Sequence, residues 1–313
     1  MTMGRLPHDR SDLLWQGGRE GGPTDLFEES IARWLRALVS DDESDIGGPE
    51  KVIGKVWAKE RGRIAGCIVI DRLVSMQCTN SILDWEVSEG DSVDSGDLVL
   101  SIEGPAGEIL GCERILLNVL GRMSGISTNV ARWVQLAGGM SVACTRKTDW
   151  GLLDKWAVHI GGGLTHRLSR SDALMIKEND MALVSAKSMD DSIANAIGRI
   201  DMDRYSSFTT IEVSSSSHAI SAASAWAEIQ YKRERDEKLV LMLDNMGPDA
   251  CEEADKGLTE SGLREWCILE ASGGISLGDV EKWRDTQGID LISSSSLNRG
   301  VPPLDLSMIV GDA

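Results

Sequence analysis

The sequence predicts an α/β protein in which a small β-rich module precedes a parallel βα architecture. Its 313 residues exceed what one ordinary hydrophobic core holds comfortably, which favours two domains, or a barrel with an extra module. Between residues 51 and 104 the apolar residues follow an extended pattern punctuated by glycines. Beyond residue 140, short apolar runs recur about 23–36 residues apart, which leaves room for a strand, a loop and a helix in each repeat.

The N-terminal residues 1–22 are rich in Gly, Arg and Asp, and we expect a flexible leader there. Pro23, Thr24 and Asp25 form a typical helix start. The apolar residues that follow at helical spacing are Phe27, Ile31, Trp34, Leu35 and Leu38. An acidic, glycine-containing loop is expected at residues 41–50.

The extended pattern of residues 51–104 predicts several short strands, one of them at residues 67–70. A helix is predicted at 113–121, a break at Ser124 and Gly125, and a second helix at 128–136. We therefore expect an N-terminal domain at 23–127, a second domain at 128–300, and a C-terminal tail at 301–313 that returns to the N-terminal domain.

Six short apolar runs predict the parallel strands of the second domain. They lie at residues 142–144, 173–176, 210–213, 239–243, 268–269 and 291–292. The segments between them are amphipathic, as expected of helices that bury one face against a sheet. One such segment carries its apolar residues at Leu183, Met189, Ile193, Ala196, Ile197 and Ile200.

Polar or small residues follow each of these runs. The endings are Thr145–Thr148, Lys177–Asp180, Glu212, Asp244–Asn245, Glu270–Gly274 and Ser293–Ser296. The carboxyl ends of the strands of a βα barrel converge on one face, where active sites are built. One such ending would be typical of a solvated loop. Six in register predict a site that combines basic side chains, carboxylates and small loops suited to phosphate.

Composition excludes several classes of function. The formal net charge of −18 argues against nucleic acid as a partner, because binding phosphate backbones requires a basic face. No apolar run is long enough to span a bilayer, and the N-terminus lacks the apolar core of a signal peptide, so we expect no membrane partner and a cytoplasmic location. The six cysteines form no CxxC pair, which favours buried thiols over a zinc site.

The motifs from residue 113 onward, in their order, resemble a known family. They are Glu113-Arg114, Ser124-Gly125-Ile126-Ser127-Thr128, Thr145-Arg146-Lys147-Thr148, Gly161-Gly162-Gly163, His166-Arg167, Ile176-Lys177-Glu178-Asn179, Ile211-Glu212-Val213, Leu243-Asp244-Asn245-Met246 and Glu270-Ala271-Ser272-Gly273-Gly274-Ile275. The chain is similar to the nicotinate-nucleotide pyrophosphorylase (carboxylating) family, also called quinolinate phosphoribosyltransferase. The resemblance implies an N-terminal α/β sandwich domain and an open, incomplete parallel α/β barrel of the TIM type. It also implies a homodimer, or a higher homo-oligomer, with composite active sites.

The resemblance further implies transfer of phosphoribosyl from phosphoribosyl pyrophosphate to quinolinate, with decarboxylation, to give nicotinate mononucleotide in NAD biosynthesis. Mg²⁺ is the implied cofactor, held by Glu212 and Asp244. The implied catalytic residues are Lys147, Lys177, Glu212 and Asp244. The implied quinolinate-binding residues are Arg146, His166 and Arg167, with Arg114 supplied across the dimer. The implied phosphate-binding residues are Ser272, Gly273, Gly274, Ser295 and Arg299.

Several positions depart from the usual pattern of the family. They are Trp150, Leu164, Asp180, Ser214, Ser295 and Arg299. These changes leave two alternatives open: an enzyme of the same fold with another acceptor, such as nicotinate, and a non-catalytic paralogue. Retention of Arg114, Arg146 and Arg167 favours a dicarboxylate acceptor. Asp244 followed by Asn245 is also compatible with a simple turn, and His166 with a structural histidine.

Overall fold

A computed structural model describes residues 6–18, 21–41, 48–177, 180, 188–201 and 207–312. Several parts of the sequence interpretation lie outside these residues. They are residues 1–5 and 19–20 of the leader, residues 42–47 of the acidic loop, Glu178 and Asn179 of the second strand ending, Leu183 of the amphipathic segment, and residue 313 of the tail.

The described residues form two compact units. The barrel unit comprises residues 6–9, 133–146 and 166–296, and the N-terminal unit comprises residues 10–132, 147–165 and 297–312. The chain passes from one unit to the other between Arg132 and Trp133, and it rejoins the N-terminal unit at residues 147–165.

The strands are β1 (Trp15–Gln16), β2 (Gly22–Pro23), β3 (Lys51–Ala58), β4 (Gly62–Arg63), β5 (Ile82–Trp85), β6 (Ser92–Val93), β7 (Leu98–Pro105), β8 (Ser141–Ala143), β9 (Leu174–Ile176), β10 (Thr209–Val213), β11 (Leu239–Asp244), β12 (Cys267–Ser272), β13 (Leu291–Ser293) and β14 (Leu306–Asp312). The α-helices are α1 (Asp25–Asp41), α2 (Cys67–Gln77), α3 (Ala106–Ala137), α4 (Leu152–Ile160), α5 (Met189–Gly198), α6 (Ser216–Arg233), α7 (Gly247–Glu260) and α8 (Val280–Arg284). No helix in these ranges has both the length and the apolar character needed to cross a membrane.

Six parallel strands form the sheet of the barrel unit, in the spatial order β8-β13-β12-β11-β10-β9. From β9 to β13 each strand pairs with the next one along the chain, and β13 pairs with β8. The strands therefore follow one another around a ring. In the described residues β8 and β9 do not pair, which leaves the ring open. The connection between these two strands is the stretch that leaves for the N-terminal unit, residues 147–165. The predicted open, incomplete barrel is confirmed, and the six apolar runs are its strands.

The N-terminal unit contains a four-stranded antiparallel sheet in the order β14-β3-β7-β5. The C-terminal strand β14 pairs with β3 along its whole length. Helix α3 packs closely on this sheet, since a Cβ atom added to Gly54 of β3 would lie 3.0 Å from the Ile109 side chain. This layering of helix on sheet agrees with the predicted α/β sandwich.

Residues 6–18 are packed and regular, so the expectation of a flexible leader is wrong for them. His8 and Leu14 are completely buried, each within its own unit. A 3-10 turn spans Ser11–Leu13, and β1 pairs with β2. The Thr24 N–H donates to the Leu14 carbonyl at 2.9 Å. A few buried anchors order the segment even though its composition is polar.

The strand predicted at residues 67–70 is the first part of helix α2. The side chains buried along α2 are Val69, Ile70, Leu73 and Val74, which is helical spacing. The Glu89 carboxylate accepts the N–H groups of Gly66 and Cys67 at 2.8 and 2.7 Å. These are donors that the first turn of a helix leaves unpaired, so a distant carboxylate supplies the cap that the local sequence lacks.

Helix α3 is one continuous helix from Ala106 to Ala137, and the predicted break at Ser124 and Gly125 is wrong. A Cβ atom at Gly125 would lie 2.2 Å from the Pro302 carbonyl oxygen and 2.9 Å from Pro303 Cα. Glycine is therefore present to admit the C-terminal segment of the same unit, not to end the helix.

This packing predicts opposite effects of alanine at two glycines of α3. Gly111 has open space where a methyl group would lie, so Gly111→Ala should stabilise the protein by roughly 1 kcal/mol through helix propensity. Gly125→Ala should destabilise it by about 1–3 kcal/mol, because backbone atoms must move. Thermal unfolding of both variants measures the difference. A rise in Tm for Gly125→Ala would show that the close approach is absent.

Candidate active site

The register of the barrel sheet places several polar side chains on one face. Residues paired across parallel strands point to the same face, and side chains alternate along each strand. Glu212 pairs with Met242, which pairs with Glu270. Asp244, two residues beyond Met242, pairs with Ser272. Glu212, Asp244, Glu270 and Ser272 therefore share one face at the carboxyl ends of their strands, as the strand endings predict.

Lys177 follows the end of β9 and extends this cluster. Its Nζ forms an ion pair with Glu212 Oε1, and both side chains keep partial access to solvent. The Lys177 N–H donates to Asp180 Oδ2 at 2.9 Å, and the Asp180 N–H donates to the Lys177 carbonyl at 2.8 Å. Asp180, one of the departures from the family pattern, thus closes the turn that carries Lys177.

Glu270 is a completely buried carboxylate that contacts two histidines. Its Oε1 lies 3.3 Å from His166 Nε2, and its Oε2 lies 3.1 Å from His8 Nε2. Burial raises the pKa of Glu270, but electrostatic attraction and hydrogen bonds from the His166 and His8 imidazoles outweigh burial and lower the pKa below its ordinary range. Glu270 is therefore an anion that holds the His166 ring.

Arg167 lies next to His166 and is itself buried. Its Nη1 donates to the Ala173 carbonyl at 3.2 Å. Burial lowers the pKa of Arg167, and the charges of Arg146 and Arg170 lower it further. Glu212 and Glu270 oppose this effect only in part. The positive charges of these arginines are thus close enough to repel one another, which makes this part of the barrel unit a candidate anion site.

The loop after β12 offers backbone donors to a ligand. Gly273 and Gly274 have φ values of 98° and 64°, which residues with side chains rarely adopt. A Cβ atom at Gly273 would lie 2.4 Å from Asn245 Oδ1, whereas Gly274 faces open space. Gly273 is therefore needed for packing against Asn245, and Gly274 leaves its backbone accessible. Successive N–H groups in such a loop are suited to phosphate.

The small residues after β13 have different roles. The Ser294 N–H donates to the Ala143 carbonyl at 3.0 Å, and its Oγ donates to the Ile275 carbonyl at 2.6 Å. Ser294 therefore ties β13 to β8 and to the glycine loop. Ser295, the predicted phosphate contact, begins a 3-10 turn and keeps partial exposure.

Three predicted site residues belong to the N-terminal unit: Arg114, Lys147 and Arg299. All three are exposed. Arg114 lies on α3, and Arg299 Nε lies 3.6 Å from Asp149 Oδ1. The predicted site residues other than these three lie in the barrel unit. Arg146 and the glycines after β12 are among them.

Two family models match consecutive parts of the chain. The model of the quinolinate phosphoribosyl transferase N-terminal domain matches residues 35–124, and that of the C-terminal domain matches residues 126–309. The chain belongs to the quinolinate phosphoribosyltransferase family.

Relatives with this chemistry in their names match over most of their length. The chain is 35% identical over 291 residues to the probable nicotinate-nucleotide pyrophosphorylase (carboxylating) of Methanothermobacter thermautotrophicus, which covers 91% of this chain and 97% of that protein. It is 31% identical over 278 residues to the Bacillus subtilis protein of the same name, covering 85% and 86%. The crystal structure of NadC from Streptococcus pyogenes gives a TM-score of 0.78 at 31% identity, covering 92% of this chain and 99% of that one.

In this quinolinate phosphoribosyltransferase, a residue that sequence reasoning missed organises the loop carrying Lys147. Asp154 of α4 is completely buried and accepts two hydrogen bonds from Arg122 Nη2 at 2.9 Å. It also accepts the Asp149 N–H at 2.9 Å, while Asn298 Nδ2 donates to the Lys147 carbonyl at 3.0 Å. The available signal was a charged Asp-Lys pair in an otherwise apolar helix, residues 152–158.

Glu212 and Asp244 fit the metal that the family implies. They offer two hard carboxylate oxygens on adjacent strands and on one face. Mg²⁺ commonly takes one or two carboxylates and completes its shell with substrate phosphate and water. Glu212 pairs with Lys177, and Asp244 accepts Asn245 Nδ2 at 2.8 Å. Both carboxylates are thus held in place by partners that a cation can replace.

Proposed function

We propose that this chain transfers phosphoribosyl from phosphoribosyl pyrophosphate to quinolinate and releases pyrophosphate and CO2, giving nicotinate mononucleotide for NAD biosynthesis. The names of its full-length relatives support this reaction. The observation that carries it is the buried Arg167 beside Arg146, because planar guanidinium groups bind carboxylates at two points. The acceptor carries two adjacent carboxylates. A cytoplasmic location is part of the proposal, and cell fractionation tests it.

In the proposed reaction the bond from ribose C1′ to pyrophosphate breaks, and the pyridine nitrogen forms the new bond to C1′. Glu212 and Asp244 stabilise the positive charge that develops on the ribose. Lys147 and Lys177 neutralise the departing pyrophosphate. Arg146 and Arg167 hold the acceptor carboxylates, and His166 fixes the orientation of that pocket.

Decarboxylation follows on the product of this transfer. The ring nitrogen is then a cation, so the carbanion left when the adjacent carboxylate departs as CO2 is stabilised, and it takes up a proton. Binding and orientation supply most of the rate increase. The backbone of Ser272–Gly274, with Ser295 and Arg299, is proposed to bind the phosphate of the ribose. When bound at Glu212 and Asp244, Mg²⁺ would offset the negative charge of the pyrophosphate.

The test is an assay of purified protein with phosphoribosyl pyrophosphate, Mg²⁺ and either quinolinate or nicotinate. If the acceptor site requires two carboxylates, we expect nicotinate mononucleotide from quinolinate alone. If one carboxylate is enough, we expect it from both acceptors. Product with equimolar CO2 from quinolinate supports the proposal. Turnover of nicotinate alone would identify another acceptor, and no turnover of either would favour a non-catalytic paralogue.

Arg167→Lys keeps the charge and removes the two-point contact. We expect the KM for quinolinate to rise roughly 10–100-fold, the effect of losing a hydrogen bond to a charged group, while the KM for the donor changes little. Arg199→Lys is the control, because Arg199 is an exposed arginine at the end of α5 in the same unit and has no role at the proposed acceptor site. Equal rises in both KM values would mean that Arg167 does not bind the acceptor.

We propose that the reaction requires Mg²⁺ and that Asp244 is one of its ligands. Asp244→Asn removes a hard anionic ligand but keeps the size and turn-forming ability of the side chain. We expect kcat to fall at least about 10-fold with quinolinate affinity nearly unchanged, and activity to vanish with chelator. Asp249→Asn, an exposed aspartate in the first turn of α7, serves as control. Full turnover by Asp244→Asn at saturating donor and Mg²⁺ would show that Asp244 only forms a turn.

We propose a homodimer in which Arg114 serves the active site of the partner subunit. Support comes from its exposure on α3 and from the family resemblance. Arg114→Ala and Asp244→Asn should each be nearly inactive alone. Random exchange of subunits between them should restore roughly a quarter of wild-type activity, because half of the dimers then hold one intact site. If mass spectrometry verifies subunit exchange and activity does not recover, Arg114 does not serve the active site of the partner subunit.

A further inference from the structure

The N-terminal segment, residues 6–18, precedes everything that the family models match, which begins at residue 35. Its first buried side chain is His8, which has no accessible surface. Within the barrel unit His8 contacts residues of the candidate active site. A segment that lies ahead of the matched family domains therefore supplies a buried side chain to the barrel unit.

The neighbours of His8 include Glu270 and two aromatic rings. Its Nε2 lies 3.1 Å from Glu270 Oε2. Its ring packs edge-on against His166, with 5.0 Å between centroids and 88° between planes, and lies 5.0 Å from the Phe208 ring. Phe208 also contacts His166, at 5.7 Å. The imidazole of His8 is thus packed against the same histidine that Glu270 holds.

The positions of the protons follow from the hydrogen bonds. The Arg167 N–H donates to His166 Nδ1 at 2.7 Å, so Nδ1 carries no proton and Nε2 must carry one. His166 Nε2–H then donates to Glu270. A carboxylate only accepts, so His8 Nε2–H donates to the second oxygen. Glu270 is shared by two imidazole N–H donors, one from the N-terminal segment and one from the loop that precedes β9.

The same proton arrangement argues against a metal at this cluster. His8, His166 and Glu270 offer ligand atoms within 4.8 Å of one another. A histidine that binds metal through Nε2 normally donates its Nδ1–H to an acceptor. Here His166 Nδ1 accepts a backbone N–H instead, so Nε2 could bind a metal only after an unfavourable second deprotonation. The cluster is suited to orienting His166.

His166 needs such support because its backbone is in an unusual conformation. Its φ is 51°, in the left-handed region that a residue with a side chain adopts only when its surroundings enforce it. Arg167, the buried guanidinium proposed to bind the acceptor, comes next in the chain. A shift of the His166 ring would therefore move Arg167.

We infer that His8 is a positioning residue of the acceptor site: through Glu270 and direct ring contact it holds His166, and with it Arg167, in the geometry that binds a pyridine dicarboxylate. This inference rests on the proposed function for the identity of the acceptor. A second contact holds the segment in place within the N-terminal unit, where the Arg10 N–H donates to Thr165 Oγ1 at 2.8 Å. Thr165 directly precedes His166.

The first experiment compares His8→Ala and His8→Gln in steady-state kinetics. His8→Ala should raise the KM for quinolinate roughly 10-fold or more, the effect of losing a hydrogen bond to a charged group, with the donor KM within about twofold. His8→Gln, whose amide N–H can still reach Glu270, should recover most of the loss. Added imidazole should partly rescue His8→Ala by filling the vacated space.

Trp15→Ala is the matched control. Trp15 belongs to the same segment, but its ring stacks on Trp156 at 5.2 Å, and both residues lie in the N-terminal unit. The substitution should lower Tm while leaving the quinolinate KM unchanged. If Trp15→Ala raises this KM as much as His8→Ala does, or if His8→Ala leaves it unchanged in active enzyme, the assignment to the His8 imidazole is overturned.

A measurement independent of turnover separates this inference from the proposed function. The chain has four histidines, so the ¹⁵N–¹H correlation spectrum of their rings is simple to assign by mutation. We expect His166 as the Nε2–H tautomer in wild type, with its ring signals shifted or broadened in His8→Ala and restored in His8→Gln. Unchanged His166 signals in His8→Ala would overturn the inference whatever the acceptor is. Failure of wild type on quinolinate would overturn only the proposed reaction.

Discussion

The candidate site depends on the register of three neighbouring parallel strands. Pairing of Glu212 with Met242, and of Met242 with Glu270, sends all the functional carboxylates of β10, β11 and β12 to one face. A slip of one residue would turn every side chain of a strand to the opposite face of the sheet. The apolar side chains would then face the site, and the carboxylates would face the layer behind the sheet. Apolar neighbours enforce the register, since Leu241, Leu243 and Leu269 are completely buried on the opposite face.

Two buried carboxylates hold the segments between β8 and β9. Glu270 holds His166 in the barrel unit, and Asp154 holds the loop of residues 147–150 in the N-terminal unit. Removing a carboxylate from water costs several kcal/mol unless donors replace the water. Both anions receive more than one donor, so each is stable only when the surrounding loop is in its observed conformation. The conformation of each loop and the burial of its carboxylate therefore stabilise each other, and the loop side chains keep a defined orientation.

The parts of this fold that follow local rules could be predicted from the sequence. The six barrel strands are apolar runs with distinct polar endings, and parallel strands buried on both faces have this pattern. Errors arose where distant residues decide the structure. Gly125 suggests a helix break until Pro302 is seen against it, and residues 67–70 suggest a strand until Glu89 is found to cap the helix. His8 carries no local signal at all, because its partner Glu270 lies 262 residues further along the chain.

The charge distribution links these features to substrate choice. An acidic chain with a net charge of −18 repels anions at long range, but such interactions are screened within about 10 Å at moderate salt. At the site the local field has the opposite sign, because burial and like charges lower the pKa of Arg167. The negative charges of Glu212 and Glu270 offset this effect only in part. Part of the guanidinium charge is therefore available to a ligand, and the proposed acceptor, a planar dicarboxylate, offers it an anionic group with matching geometry.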